Sequence, residues 1–453
     1  MRSVSAIKQP ITQLLVTAFL LSGLASVAQE NSPYSRYGWG NEVNSTPIAT
    51  RGMGGISTGY VDYDKRYDFK QVYPRSQTIN FLNPASYAKM RITSFDVGIQ
   101  VANQTLRSQT STDKYKASYA NISYVQLGIP VSRKHNFGMV LGLRPMSRIN
   151  YKVLEFGRAL NPITGENIDS TITTYEGNGG SYQAYTGFGK AFGNLSIGAN
   201  VGYFWGTKDF GTRKDFINDS VLYYTGNFQN RVNFGGLYLQ GGIQYTAKLT
   251  KDVSLVLGAS ASLKQSYNAK ADVIRRTIAD DGNGGFNPID SVYVEDDIKG
   301  KIDYPGSYSV GFTLQKNDKW LFGADYTATS WDDYRFYGSK DSVASTWRLR
   351  AGGQFVPNAF GTNYWGRITY RLGFNYGKDN IKYDGTQLDL YGLSAGFAFP
   401  VRPNRFSNQY TNINLAFEYM KRGNSSTLLR ENFFVVSVGF TLSDLWFIKR
   451  KYD

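Results

Sequence analysis

The feature that most constrains the fold is an alternation of apolar and polar residues with a period of two, from about residue 92 to residue 443. Successive side chains of a β-strand point to opposite faces, so this pattern predicts strands with one apolar face. About fourteen such runs occur, and most exceed the usual strand length of about five or six residues. One example is the run 194–206, where the apolar face reads Leu195, Ile197, Ala199, Val201, Tyr203 and Trp205.

The connections between the runs also alternate. Short connections lie near residues 133–135, 193, 251 and 317–318, whereas longer ones cover 153–180, 209–230, 269–306 and 332–344. Short turns at one end and long loops at the other are typical of outer-membrane β-barrels. The connections 357–364 and 400–410 depart mildly from this rhythm. The sequence therefore predicts an all-β fold, a transmembrane antiparallel β-barrel of about fourteen strands.

The orientation of the strands follows from the size of such a barrel. Fourteen strands enclose a lumen too wide for side chains to fill, so the apolar, aromatic-rich face should meet lipid and the polar face should line the lumen. Residues 29–91 lack sustained alternation and are rich in Gly, Pro, Ser and Tyr. We therefore expect this segment to lie in the polar lumen as an N-terminal hatch.

The N-terminus has the three parts of a secretory signal peptide. Arg2 and Lys8 precede an apolar stretch, and the small residues Ser26 and Ala28 fit a cleavage site. The predicted organisation is a signal peptide at 1–28, a hatch at 29–91, a barrel at 92–443 and a basic periplasmic tail at 444–453. An uncleaved membrane anchor is the alternative, because the apolar stretch is nearly long enough to span a bilayer.

Composition gives little support to an enzyme or to a nucleic-acid partner. The chain has no Cys and a single His, His135, which lies in a basic turn and is interpreted as a solvated residue. The formal net charge is +15, but Lys and Arg are spread along the chain without long runs. The acidic, Gly-rich residues 280–285 lack calcium-loop spacing and are interpreted as an outer loop. We expect no enzymatic activity, no cofactor and no metal site.

Arginines recur on the predicted lumenal faces, where four of them should lie close together on two neighbouring strands. Arginine recognises carboxylates and phosphates through paired hydrogen bonds, so these residues could bind an anionic head group or clamp the hatch. The alternative is pairing with the lumenal carboxylates of Asp96, Asp325, Asp389 and Glu418, since unpaired buried charge is costly. The candidates are Arg144 and Arg148 on one strand, and Arg348, Arg350, Arg367 and Arg371 on the neighbouring pair.

Two motifs precede the first strand: RGMGGISTG at residues 51–59 and NFLNPAS at residues 80–86. With the barrel pattern, they resemble the FadL-type outer-membrane transport family, whose hatch carries a Gly-rich stretch followed by Asn-Pro-Ala. The resemblance implies that Asn83, Pro84 and Ala85 form the hatch motif and that hydrophobic molecules, such as fatty acids or aromatic hydrocarbons, cross the outer membrane of a Gram-negative bacterium. The chain ends, NSPYSRYGWG and WFIKRKYD, resemble those of barrel proteins from Bacteroidota-type bacteria.

Two departures from the family pattern leave the function open. Residues 61–76 lengthen the hatch with polar residues, and the chain ends in a basic tail. The first hypothesis is a transporter of hydrophobic or amphipathic small molecules, with an apolar pocket near the outer loops. The second is a non-transporting barrel subunit of an outer-membrane secretion or assembly complex, with a tightly packed lumen. Expected partners are outer-membrane lipid, a hydrophobic ligand, or other outer-membrane or periplasmic proteins.

Overall fold

A computed structural model describes most of the chain outside the predicted signal peptide. The described residues are 31–44, 46–62, 76–109, 113–161, 163–218, 221, 223–281, 285–316, 319–359, 361–401, 409–424, 426–444 and 446. The predicted signal peptide, most of the insertion 61–76 and most of the basic tail therefore lie outside the described residues.

Long strands dominate these residues. The eighteen strands are β1 (Asn41–Glu42), β2 (Thr93–Ser108), β3 (Lys114–Ser132), β4 (Phe137–Leu160), β5 (Asn167–Phe192), β6 (Leu195–Ile217), β7 (Thr225–Lys248), β8 (Val253–Ser262), β9 (Gln265–Asp280), β10 (Phe286–Tyr304), β11 (Ser307–Lys316), β12 (Trp320–Thr329), β13 (Arg335–Phe336), β14 (Thr346–Phe355), β15 (Thr369–Tyr383), β16 (Thr386–Pro400), β17 (Gln409–Arg422) and β18 (Leu429–Asp444). The helices are α1 (Ile48–Arg51), α2 (Tyr364–Arg367) and three 3-10 turns, Pro33–Arg36, Pro84–Lys89 and Trp331–Asp333.

Antiparallel pairing closes these strands into a barrel. Each wall strand pairs with the next along the chain, and β18 pairs with β2 from Leu429↔Ser108 to Asp444↔Thr93, which closes the ring. Two of the wall strands each consist of two shorter strands. The first consists of β8 and β9, which pair with the C-terminal and the N-terminal half of β7. The second consists of β10, which pairs with β9, and β11, which pairs with β8. With these halves joined and the two-residue strands β1 and β13 set aside, the wall has fourteen strands, as predicted.

The two faces of the wall differ as the alternation predicts. On β6, Ile197 and Tyr203 are exposed on the outer face, whereas Ser196 and Asn200 are buried on the lumenal face. Other outer-face residues are strongly exposed apolar side chains, such as Phe322 and Leu372. Among the described residues, no helix is long and apolar enough to cross a membrane.

The predicted long loops are the main correction to the expected secondary structure. Residues 153–180, 209–230 and 269–306 are largely strands, because β4 to β7, β9 and β10 continue past the barrel as paired hairpins. Residues 286–297 of β10 are all exposed, so no buried face imposes the one-sided apolar pattern that identifies a strand in sequence. The predicted loop 332–344, in contrast, begins in the 3-10 turn Trp331–Asp333 and has the two-residue β13 as its one strand.

Candidate functional site

The Asn-Pro-Ala turn links the N-terminal segment, defined here as residues 31–62 and 76–92, to the wall. Asn83 is extended (φ −130°, ψ 100°), as the following Pro84 favours, and its Oδ1 accepts a hydrogen bond from Ala85 N at 3.2 Å. Its amide nitrogen donates to Thr58 O at 2.7 Å and, at 3.3 Å each, to the carbonyl oxygens of Ile243 on β7 and Ala259 on β8. One buried side chain thus joins two parts of the segment to two wall strands.

Lumen-facing glycines bring the backbone of the segment directly against the wall. A Cβ atom at Gly189 would lie 2.6 Å from Pro84 O, and one at Gly396 would lie 2.9 Å from Gly52 Cα. Real Cβ atoms do not approach backbone atoms this closely, so only glycine fits at these positions. The glycine ring comprises Gly138, Gly189, Gly198, Gly258, Gly352, Gly373 and Gly396, which lie on β4, β5, β6, β8, β14, β15 and β16.

Charged groups fix the Gly-rich part of the segment. Arg51 is completely buried; its guanidinium donates to Thr46 O at 3.0 Å and lies 3.9 Å from a carboxylate oxygen of Glu418 on β17. On the other side of the barrel, Asp325 on β12 accepts hydrogen bonds from the backbone N–H groups of Ser57 (2.5 Å) and Thr58 (2.8 Å). Buried charges with such partners hold the segment in one position.

A second ionic cluster surrounds Arg422 at the end of β17. Arg422 Nε lies 2.6 Å from Glu431 Oε2, and its Nη1 lies 3.3 Å from Asp379 Oδ2. The same guanidinium donates to Asn41 Oδ1 at 3.0 Å and to Ser32 Oγ at 2.9 Å, both in the N-terminal segment. Three wall strands and the start of the segment are therefore joined through one side chain.

Aromatic side chains fill the outer part of the lumen. Trp39 of the segment is 2% exposed and stacks on Phe204 and Phe234, with ring centroids 4.9 and 4.7 Å apart. Next to it, the buried ammonium of Lys208 donates to Tyr334 Oη at 2.9 Å and to Gly38 O. The stacked rings attach the segment to β6 and β7 through apolar contacts.

Four of the six candidate arginines line a cavity between the segment and the wall. This cavity has a volume of about 290 Å³ and is lined by Arg144, Arg148, Arg348 and Arg350, together with the carboxylates of Glu42 and Glu418. Arg144 also donates to Gln183 at 2.8 Å and lies over the ring of Phe81 in the segment, 4.8 Å from its centroid.

The other two candidates, Arg367 and Arg371, lie elsewhere. The prediction that four guanidinium groups lie close together is therefore wrong. Arg371 donates to Gln354 (3.2 Å) and Asn414 (2.8 Å), because the register pairs it with Gln354 and not with Arg350. Arg367 belongs to helix α2, which precedes β15, and it lies over the ring of Tyr364. The apolar alternation continues through the helical turn, so sequence alone could not exclude Arg367 from the strand.

Glu42 faces the water-accessible cavity although protein surrounds that cavity on most sides. Burial raises the pKa of its carboxyl group, while the nearby guanidinium groups of Arg348 and Arg350 oppose this shift. Sequence reasoning did not single out Glu42, Arg51, Trp39 and Arg422. Arg51 and Trp39 stand in the motifs RGMGGISTG and NSPYSRYGWG, but nothing in the sequence indicates the partners of these side chains. No group of three or more potential metal ligands occurs among the described residues.

The predicted carboxylate partners behave in different ways. Glu418 pairs with Arg51 of the segment, and Asp389 pairs with Lys378 on the neighbouring strand. Asp96 instead lies among the side chains of Thr441, Gln126 and Tyr124, and Asp325 receives backbone N–H groups. The lumenal charges thus bind mainly the N-terminal segment and each other.

The closed fourteen-stranded barrel around an N-terminal segment is a fold of the FadL type, as the sequence predicts. Solved structures of similar fold include the "TodX deltaS2S3 mutant monoaromatic hydrocarbon channel" (17% identity, TM-score 0.52, 89% of this chain and 99% of that chain) and a Pseudomonas aeruginosa FadL homologue (14%, 0.51, 90% and 98%). The sequence model of the BamG family matches residues 10–453, so this chain belongs to the BamG family. A comparison with curated protein sequences gives no match.

Proposed function

We propose that this protein is an outer-membrane barrel whose lumen is sealed by its N-terminal segment and that it serves as a non-transporting subunit of an outer-membrane secretion or assembly complex. The observation that carries this proposal is the way the lumen is filled. Backbone packs against the glycine ring, and Arg51, Asp325 and Arg422 hold the segment through buried charged contacts. Moving the segment would leave several of these charges without partners, which is costly in a buried site.

The two cavities that adjoin the N-terminal segment both carry several charged groups. The cavity of about 290 Å³ carries five guanidinium and three carboxylate groups among apolar side chains such as Met146, Leu390 and Phe433. A second pocket of about 400 Å³ at the outer end includes aromatic rings, but it also carries Arg36, Lys208, Arg275 and Lys340. Ligand pockets for hydrophobic molecules are lined predominantly by apolar side chains. The charged groups in both cavities favour a sealed barrel over a channel for hydrocarbons or fatty acids.

Transport of hydrophobic or amphipathic small molecules across the outer membrane is the second candidate function. It is supported by the fold, which is similar to that of a protein titled a monoaromatic hydrocarbon channel. The aromatic cluster around Trp39 would suit an aromatic ligand if the segment moved. Asn83, Pro84 and Ala85 would then form the hinge of a hatch, and the lumenal arginines would steer an anionic head group.

Under the sealed-barrel proposal, the candidate arginines have structural roles. Arg144 binds the segment through the ring of Phe81, and Arg371 supports the wall next to Gly52. Arg348 and Arg350 balance the carboxylate of Glu42 in the cavity, which Arg148 also lines. None of these roles requires a diffusible ligand.

The two functions are separated by measuring transport and association on the same protein. Proteoliposomes with purified barrel should take up toluene and a fluorescent long-chain fatty acid no faster than protein-free liposomes, while cross-linking in native membranes should recover the barrel with partner proteins in fixed stoichiometry. Gly373→Ala is the positive control for uptake, because its Cβ would collide with Gly54 N and displace the segment. Uptake by the unmodified barrel, without a stoichiometric partner, would favour transport instead.

A further inference from the structure

Positive charge is concentrated at the end of the barrel where the turns are short. The residues concerned are Lys134, Lys190, Lys248, Lys251, Lys316, Lys319 and Arg367, here called the basic collar. They lie in or beside the turns β3–β4, β5–β6, β7–β8, β11–β12 and β14–β15. In the described residues of these turns there is a single carboxylate, that of Asp252.

The lysines of the collar are available for an external partner. All are exposed except Lys316, which is half-buried, and none lies within ion-pair distance of a described carboxylate. Four of them stand together, because β8 pairs with β11 and places Lys316 opposite Val253, next to the turn that carries Lys248 and Lys251. Like charges this close together attract an anionic partner.

Lipid-facing aromatic rings stand directly beside these cations. The ammonium group of Lys190 lies 5.0 Å from the ring centroid of Phe192, which is itself exposed on the outer face. Trp320 and Phe322, with ring centroids 5.5 Å apart, follow Lys319 on β12. Aromatic girdles of barrels lie at the level of the lipid head groups, so the collar lies at that level too.

We propose that the basic collar binds the phosphate groups of anionic phospholipids in the inner leaflet of the outer membrane. The inference rests on the proposed outer-membrane placement, in which the short turns face the periplasm. Lysine and arginine next to a membrane surface attract anionic lipids. The collar follows the wall from β3 to β15 beside the aromatic rings, and lipids surround a barrel in this way, whereas one acidic protein domain would cover a single side.

The test measures which lipids the intact protein retains. The protein is reconstituted with an equimolar mixture of phosphatidylglycerol and phosphatidylcholine, and the lipids that remain after partial delipidation are counted by native mass spectrometry. We expect retained phosphatidylglycerol to exceed phosphatidylcholine about five-fold at low salt, and the excess to shrink at 0.5 M NaCl because salt screens the attraction.

Substitutions of collar lysines test whether these residues cause the excess of retained phosphatidylglycerol. The quadruple variant K248Q/K251Q/K316Q/K319Q should bring the ratio close to one, whereas the corresponding lysine-to-arginine variant should keep the excess. The control K152Q/K214Q/K299Q/K301Q changes the net charge equally at the opposite end of the strands and should retain the excess.

Other outcomes would overturn the proposal in recognisable ways. Lipid retained without a head-group preference, or a preference equally reduced by the control variant, refutes the collar. Loss of a co-purifying acidic protein in the first variant, with no lipid preference, would assign the collar to a protein partner. If no phospholipid is retained at all, the membrane placement itself fails, and this result is distinct from failure of the collar.

Discussion

Two adjacent glycines on β7 allow the fit between the N-terminal segment and the wall to be tested by one methyl group. Gly242 faces the lumen, where a Cβ atom would collide with Asn83 Oδ1 and lie 2.8 Å from Pro84 Cδ. Gly241 points outward, and a Cβ atom there would meet nothing within 4 Å. The substitutions Gly242→Ala and Gly241→Ala thus add the same atom to opposite faces of the same strand.

The expected cost follows from the contacts of Asn83. Overpacking a filled site costs about 1–3 kcal/mol, and each hydrogen bond lost from the Asn83 amide adds about 1 kcal/mol. If the turn moves enough to break one of its bonds to Ile243 and Ala259, Gly242→Ala should lower the free energy of unfolding by about 2–4 kcal/mol. Gly241→Ala should change it by less than about 0.5 kcal/mol.

The assay follows unfolding and access to the segment separately. The apparent unfolding temperature is read from the shift in gel migration on heating in SDS, and trypsin reports access to Arg51, which is completely buried in the intact barrel. Gly242→Ala should unfold at lower temperature and be cleaved after Arg51 faster than the Gly241→Ala control. Equal behaviour of the two variants would refute the proposed tight fit at the Asn-Pro-Ala turn.

Three further predictions concern the lumen. Arg422→Met should cost about 3–5 kcal/mol, because it leaves Glu431 and Asp379 buried without their cation; heat-induced unfolding measures this, and the added change Glu431→Gln should restore part of the loss. Trp39→Ala should cost about 3–5 kcal/mol by opening a void in the aromatic cluster, whereas Trp365→Ala, at an exposed site, should be nearly neutral in the same assay. Glu42→Gln should raise the unfolding temperature at pH 8, because the raised pKa of Glu42 means that folding disfavours its charged form. Below pH 4 the carboxyl group is protonated in both the folded and the unfolded state, so the difference between the two proteins should vanish. A difference that persists below pH 4 would contradict this reasoning.

The wall of the barrel could be predicted because one physical constraint repeats along it. Each strand has one face toward lipid and one toward the lumen, so residues such as Ile197 and Asn200 must alternate. The extended hairpins beyond the barrel lack that constraint, since both faces of β10 at residues 286–297 meet solvent. Their sequence pattern therefore predicts loops.

The candidate site was only partly predictable for a related reason. The Asn-Pro-Ala turn has a local signal, because Pro84 restricts Asn83. In contrast, Glu418 lies 367 residues from Arg51 and Asp379 lies 43 residues from Arg422, and only the strand register brings each carboxylate into reach. Glycines that contact the segment have no local signal either: Gly242 and Gly241 look alike in sequence, and only the three-dimensional position of the segment distinguishes them.

The glycine ring has a consequence for the order of folding. Backbone of residues 52–58 and 84–87 touches β4, β5, β6, β8, β14, β15 and β16, with no side-chain clearance through which a folded segment could be threaded. Because β18 closes on β2, the segment must already lie in place when this last pair forms. We therefore expect the N-terminal segment to act as a template around which the wall strands curl, so that its deletion would slow closure of the barrel as well as empty its interior.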